Sequence, residues 1–313
     1  VKKRKSTEDD VARFAFVQRV LGDVPLREFT SEHAKRVMQA LPPDLSPATR
    51  RHYAQSMHRV LSLAVFPGEL LERNPLPKGF LPNVTSKKGA KNHLYPDEDA
   101  KLLACTKTDD AGGCVIPPWR RLLWGFLSRE GMRVSEALNL RWSNVDVERG
   151  AVRLDENKTD HARTWALDPG VVAALKAWRK LHPLRQDDGK KDPADDALVF
   201  VTETGGSPNP KHLPRSLRAD LRTAGVDRIE LHVGTKQRLR LRVHDLRGTF
   251  VTLSLANGAT ESWVMDRTGH GSSSMVQRYK QGARTVAELG LGKLLPLVDA
   301  IPELAAVAPP PSS

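Results

Sequence analysis

Between Leu241 and Tyr279 the sequence gathers side chains suited to chemistry on a phosphodiester. His244 and Arg247 stand one helical turn apart, His270 follows a glycine, and Tyr279 closes the stretch. Imidazoles carry protons near neutral pH, a guanidinium grips anions, and a phenol is a latent nucleophile. Cleaving a phosphodiester builds negative charge on its non-bridging oxygens. Planar, two-pronged donors hold that charge, and lysine cannot reproduce their geometry. Arg133 and Arg247 are the candidates for this task. A tyrosine hydroxyl is weak at its free pKa of about 10, so it needs a base and a positive field beside it. The departing 5′-oxygen needs a proton, which a lysine poised by neighbouring positive charge can give.

Other chemistries find less support. The sequence shows no convincing carboxylate cluster for divalent cations, no GxxxxGK[ST] loop and no zinc-like Cys/His spacing. No metal and no cofactor are therefore expected. A formal net charge of +12 and a pI near 9.8 imply a polyanionic partner. No uncharged apolar run is long enough to span a membrane, and the basic start VKKRKSTEDD lacks the apolar core of a signal peptide. Cys105 and Cys114 read as free thiols in a reducing compartment.

The elements that must position these residues fall into two parts. From Ser6 to Pro77 the spacing predicts helices throughout. DVARFAFVQRVLG stops at Gly22, EHAKRVMQAL is capped by Thr30 or Ser31, and a third helix opens with Ser46-Pro47. That third helix carries Arg50, Arg51, His58 and Arg59, a basic face available to a phosphate backbone. Lys78 to His93 has no period and reads as a linker whose Lys87, Lys88 and Lys91 can track phosphates. Beyond it, helices are expected at Pro96, over PWRRLLWGFLSREG and over MRVSEALNLRW. A two-stranded hairpin (VRLDE, RTWALD) follows, with Lys158 in or beside its turn, and then a helix over VVAALKAWRKL. ALVFVT reads as a short buried strand, PRSLRADLRTAG as a helix, and DRIELHVGTKQRLRLR as a second hairpin or irregular chain. The residues flanking Tyr279, Gln277, Arg278, Lys280 and Gln281, predict an exposed setting for it. The tail LAAVAPPPSS has too little to bury and is expected to be disordered.

Taken together, these boxes resemble those of the tyrosine recombinases of the phage-integrase family. SREGMRVSEALNLRW resembles the family's first arginine box and places Arg133 and Glu136. ENKTDHARTWALD resembles the hairpin carrying the family's lysine and places Lys158. HDLRGTF is similar to the His-x-x-Arg box, placing His244 and Arg247, and TGHGSSSMVQRYK resembles the last box, placing His270 and Tyr279. Two positions depart from the pattern: Gly248, where a basic residue is common, and Thr268, where leucine is common.

The resemblance implies a mainly α fold with a small β-sheet. It divides into a helical core-binding domain (1–78), a linker (79–93), a catalytic domain with a tail helix (94–304) and a disordered tail (305–313). It implies that Tyr279 forms a 3′-phosphotyrosyl link while Arg133, Arg247 and His270 stabilise the phosphate. His244 acts as base, Lys158 as acid, and Glu136 orients the arginine site. The implied partner is a double-stranded DNA recombination site, held by a C-shaped clamp. A homotetramer assembles on two sites and is a monomer or dimer when free. DNA-bending or directionality factors are possible accessories, and the setting is a bacterial cytoplasm, associated with the nucleoid. An upstream arm-binding domain is expected to be absent or removed, and the segment after Tyr279 docks in cis or in trans. The rival readings are a catalytically inactive architectural DNA-binding protein and a type IB topoisomerase-like enzyme. Singly, each residue also has a bland role, such as a capping histidine, a surface arginine or a core tyrosine.

Overall fold

The computed structural model describes residues 7–83, 91–110, 112–113, 115–155, 162–186, 191–235 and 239–308. The chain divides into two units, Val1–Lys87 and Lys88–Ser313. The fold is mostly helical, with one small sheet. No described helix is long and apolar enough to cross a membrane.

The first unit holds α1 (Thr7–Leu21), α2 (Ser31–Ala40) and α3 (Pro47–Val65). Gly22 leaves α1 with a left-handed φ of +68°, which a residue with a Cβ adopts only under strain. At α3 the Ser46 hydroxyl accepts from the Thr49 amide at 3.1 Å, and Pro47 occupies the first turn, where no amide is needed. The apolar faces meet at Val37, Met57, Leu61 and Leu76, with Phe16 and Val20 packed against them.

The second unit is built on α5 (Pro118–Glu130), which follows α4 (Pro96–Ala104). A helix apolar on all sides belongs in a core. Accordingly Leu122, Leu123, Trp124, Phe126 and Leu127 of α5 are all buried. Several of its buried polar groups are paired: Trp124 donates to Asp220 at 2.9 Å, and Arg121 donates to Glu303 at 2.5 Å. Then come α6 (Val134–Leu138), strands β1 (Val145–Asp146), β2 (Ala151–Leu154) and β3 (Arg163–Ala166), and α7 (Pro169–Leu181). The strands form one antiparallel sheet in the order β1-β2-β3, with Val152 opposite Trp165. After α8 (Leu213–Thr223) and α9 (Ile229–His232), α10 (Val243–Ala256) lies against α5. It is followed by α11 (Glu261–Thr268), α12 (Ser273–Gln277) and α13 (Lys280–Glu288), which also packs on α10. α14 (Leu297–Ala300) and α15 (Pro302–Ala305) pack on α7.

Several expectations need correction. The hairpin has a third strand, because Val145–Asp146 is long enough to pair with β2. ALVFVT forms no named strand. It ties to the chain after α6 through Val199 N to Leu140 O at 2.8 Å and Trp142 N to Ala197 O at 3.1 Å. DRIELHVG contains the short helix α9. The end of the expected linker is built into the second unit: Asn92 is buried and its amide donates to Leu239 O at 2.8 Å. The tail expected to be disordered is ordered as far as it is described. Leu304 is fully buried in the core of the second unit, with Val307 and Ala308 packed against that core. Residues 309–313 lie outside the described residues. Val286 and Leu297, downstream of Tyr279, are likewise buried in their own unit.

Removing the buried Leu304 side chain leaves a cavity, so Leu304→Ala should destabilise the second unit by about 2–4 kcal/mol. Urea unfolding followed by tryptophan fluorescence, which reports that unit because no tryptophan lies in the first, measures the loss.

Candidate active site

Arg247 enters the interior from the second turn of α10 and is 2% exposed. Its Nη1 donates to Gly131 O at 2.8 Å and its Nη2 to Thr268 O at 2.6 Å. Nη2 also lies 3.1 Å from His270 Nε2. Gly131 ends α5 in the left-handed region, and a Cβ there would stand 2.3 Å from the Phe250 ring. Glycine at this corner thus lets α5 and α10 approach closely enough for the carbonyl to meet the guanidinium. Among the described residues the buried Nε of Arg247 has no partner. Arg163 Nε, on the neighbouring strand, is likewise open among the described residues, so two guanidiniums of this cluster keep a donor for an incoming acceptor.

Arg133 immediately precedes the first residue of α6, Val134. Its Nη1 donates to Glu136 Oε1 at 2.6 Å, and Nη2 leans toward Gly269 O at 3.4 Å. Glu136 Oε2 accepts from a third arginine, Arg163 on β3, at 2.9 Å. Arg163 also donates to Arg267 O at 3.0 Å, next to the turn that carries His270. Sequence reading singled out Glu136 but missed Arg163. The available signal was period-2 alternation, which puts Arg163 on the same half-buried face as Trp165.

Tyr279 is only 5% exposed, which corrects the exposed setting expected from its polar neighbours. Its ring joins Phe250, Val251, Val264 and Val276 in a small core. The polar residues around it are the wet face of the turn between α12 and α13, while Tyr279 itself points inward. Its hydroxyl accepts from Lys91 Nζ at 3.0 Å. Lys91, expected only to follow the DNA backbone, is therefore part of this site. Gly248 of α10 explains the room for the ring, since a Cβ there would lie 3.0 Å from Tyr279 Cε1.

The structure thus pairs Arg133 with Glu136 and Arg247 with His270, and Arg133 reaches the second pair through the carbonyl of Gly269, next to His270. His244 and Tyr279 lie near enough to shift, respectively, His270 and Arg247 electrostatically. Lys158, Lys87 and Lys88 lie outside the described residues. The other DNA-binding candidates belong to the first unit and have local partners. Arg50 donates to Met38 O at 2.7 Å and Pro42 O at 3.1 Å, and Arg51 donates to Pro82 O. His58 sits 3.4 Å from the Ser62 hydroxyl, and Arg59 approaches Asp10 at 4.0 Å. Among the described residues no group of three or more His, Cys, Asp or Glu stands together as a metal-binding set.

The phage integrase family matches residues 92–285, more than half of the chain, a span that holds Arg133, Glu136, Arg163, His244, Arg247, His270 and Tyr279 and begins just after Lys91. The chain belongs to the phage integrase family. It is similar to the integrase of Mycobacterium phage D29, with 25% identity over 84% of this chain and 66% of that protein. It is also similar to the tyrosine recombinase XerC of Anoxybacillus flavithermus, with 27% identity over 67% of this chain and 64% of that one. The chain therefore spans about two thirds of the length of each relative. Its fold matches a crystallised lambda integrase (75–356) dimer bound to a COC′ core site, with a TM-score of 0.63 and 16% identity over 89% of each chain. By family this is a tyrosine recombinase.

Around this site the charges are unevenly balanced. Burial raises Glu136, but the hydrogen bond from Arg133 and the charge of Arg163 outweigh it and leave the carboxyl below its usual range. Burial and then Arg133 bring Arg247 down to about 10. Burial, then Arg247 and Arg133, push His270 down to about 3. Desolvation and then Lys91 and Arg247 lower His244 to about 4, although the residue as a whole keeps contact with solvent, which screens part of that field. Arg247, His270 and His244 share a cause beyond burial, the positive charge of their neighbours, which an anion would offset.

Both imidazoles titrate lower here than in the unfolded chain, where histidine sits near 6.5. As pH falls below that value the unfolded chain binds protons first. Their contribution to stability is therefore complete above about pH 6.5 and is lost on acidification toward pH 3–4. Unfolding measured between pH 7.5 and 4 should show a slope that flattens in His270→Gln, by at most ~1.4 kcal/mol per pH unit. A second outcome concerns the tyrosine. Gly248→Leu should push the ring of Tyr279 from its place. Nitration of Tyr279 by tetranitromethane, mapped by peptide mass spectrometry against Tyr53 and Tyr95, should then rise several-fold.

Proposed function

We propose that this integrase cuts and rejoins duplex DNA at a specific site through a 3′-phosphotyrosyl intermediate, to integrate or excise a mobile element. The observation that carries the reading is the Nε–H of buried Arg247, without a partner among the described residues and set among Arg133, His270 and His244 with Tyr279 nearby. A phosphate is the ligand such a cluster favours, because it supplies acceptor oxygens and negative charge together.

In the reaction the Tyr279 hydroxyl attacks the scissile phosphorus, forming a P–O bond to tyrosine and breaking the bond to the 5′-oxygen. Its proton passes to His244, which is neutral at physiological pH and so able to accept it. Arg133 and Arg247 hold the non-bridging oxygens as charge grows on them, and His270 adds a hydrogen bond. Glu136 aligns Arg133 and Arg163 without carrying a proton. Lys158 protonates the leaving 5′-oxygen, a role that rests on the family resemblance. A 5′-hydroxyl from the partner strand then reverses the sequence and restores the phosphodiester. No net bond energy is lost, so no external energy source is required.

The first unit provides further duplex contacts through Arg50, Arg51, His58 and Arg59, and Lys87 and Lys88 follow the backbone. Strand exchange calls for two DNA sites and four protomers, a reading supported by the shared fold with lambda integrase, crystallised as a tetramer bound to a Holliday junction. The matches to phage integrases support a mobile element, and DNA of the bacterial nucleoid is the target that fits it. DNA-bending or directionality factors would set the direction of the reaction.

A nicked suicide duplex carrying the element's end should trap a covalent protein–DNA band on a denaturing gel, absent in Tyr279→Phe. Arg247→Lys should keep DNA binding yet cleave about 10²- to 10³-fold more slowly, because an ammonium cannot replace the forked donors. Specific binding of the correct site without a covalent band from the wild type would overturn the recombinase reading.

A further inference from the structure

Thr268 is the last residue of α11 and is fully buried. It occupies a position where the resemblance leads one to expect leucine. Its hydroxyl lies 2.6 Å from Val264 O and 2.8 Å from His270 Nδ1. A carbonyl only accepts, so the single hydroxyl proton goes to Val264 and the oxygen presents a lone pair to the imidazole. Nδ1 must then carry a hydrogen. The other edge of the ring gives the same answer independently. Nη2 of Arg247 stands 3.1 Å from Nε2, and a guanidinium only donates, so Nε2 must be the accepting nitrogen.

We propose that Thr268 is a positioning residue that holds His270 as the Nδ1–H tautomer in the free protein and lets it change tautomer when phosphate enters. The proposal rests on the reading of this cluster as a phosphodiester site. In the resting tautomer Nε2 has no hydrogen to offer a phosphate oxygen, and it occupies a donor of Arg247. When a phosphate arrives, Arg247 Nη2 turns to its oxygen. The imidazole, only partly buried, releases its Nδ1 proton to solvent water and takes one at Nε2 from solvent water, with no net change in charge. The Thr268 hydroxyl rotates from Val264 O to donate to Nδ1. Nε2–H is then free to bond a non-bridging oxygen. A hydroxyl serves both states because it donates and accepts; a leucine side chain serves neither. The low basicity of His270 fits the same scheme, since a neutral ring must choose one nitrogen for its hydrogen.

The test has two readouts. In free protein labelled with 15N-histidine, the His270 signals, identified by their loss in His270→Gln, should show a protonated Nδ1 and an unprotonated Nε2. Thr268→Ser should preserve that pattern and Thr268→Val should lose it. In single-turnover cleavage of the nicked suicide duplex, Thr268→Val should slow the step by about tenfold or more, the scale seen for outer partners of a functional imidazole. Thr268→Ser should restore the wild-type rate, with duplex binding unchanged in both. A wild-type spectrum with Nε2 protonated would overturn the proposal, as would a Thr268→Val protein that keeps both tautomer and rate. Failure of the wild type itself to cleave would instead count against the recombinase reading, while the free-protein spectrum would still decide the role of Thr268.

Discussion

The second unit depends on one buried guanidinium. Arg247 reaches from α10 to the carbonyl that ends α5 and to the carbonyl that ends α11, and touches the imidazole just beyond. Three segments are thereby fixed at the point where the candidate site lies. A buried cation would be costly if unpaired, and two carbonyls answer only part of its donor capacity. The arrangement is stable enough to form and incomplete enough to attract an anion. Gly131 makes it possible, because only a residue without a side chain passes the Phe250 ring at that corner.

The balance of charge around this centre explains how the site can be positive and still fold. Glu136 receives hydrogen bonds from both Arg133 and Arg163, so one carboxylate holds two guanidiniums in register. Behind it, Glu130 takes Arg267, the Trp165 indole and the Asp168 amide. These acceptors neutralise the rear of the cluster and leave its front cationic. The depressed histidines report that front: both imidazoles stay neutral at physiological pH where arginine and lysine charges converge. Neutral imidazoles are also what the proposed reaction needs, since one must take a proton and the other must donate without adding charge.

What could be read from the chain depended on how far apart the interacting residues lie in it. His244 and Arg247 share a helix, and Glu136 sits one turn beyond Arg133, so spacing alone placed each pair on a common face. The caps at Ser46 and Gly22 and the end of α5 were likewise local. Lys91 meets Tyr279 across 188 residues, and no periodicity reports such a contact. The inward turn of Tyr279 was hidden for a related reason: the polar residues around it describe the surface, while the packing partners Phe250 and Val264 come from other helices. Leu304 misled in the same way. One leucine in a Pro- and Ala-rich tail looks too little to bury until the hollow beside α7 is known.

The two departures from the family pattern both land on residues of the site. Gly248 meets the Tyr279 ring, and Thr268 binds the His270 ring. In sequence each looked like a small weakness in an otherwise regular motif. In three dimensions each contacts the side chain whose position matters most near it: the missing side chain at 248 is replaced by the phenol, and the added hydroxyl at 268 is taken up by the imidazole. A basic residue at 248 would compete with that ring for space. A leucine at 268 would leave Nδ1 without its present partner. The departures therefore describe one local solution, in which Tyr279 lies against α10 beside Lys91 and His270, next to Arg247, is oriented from behind.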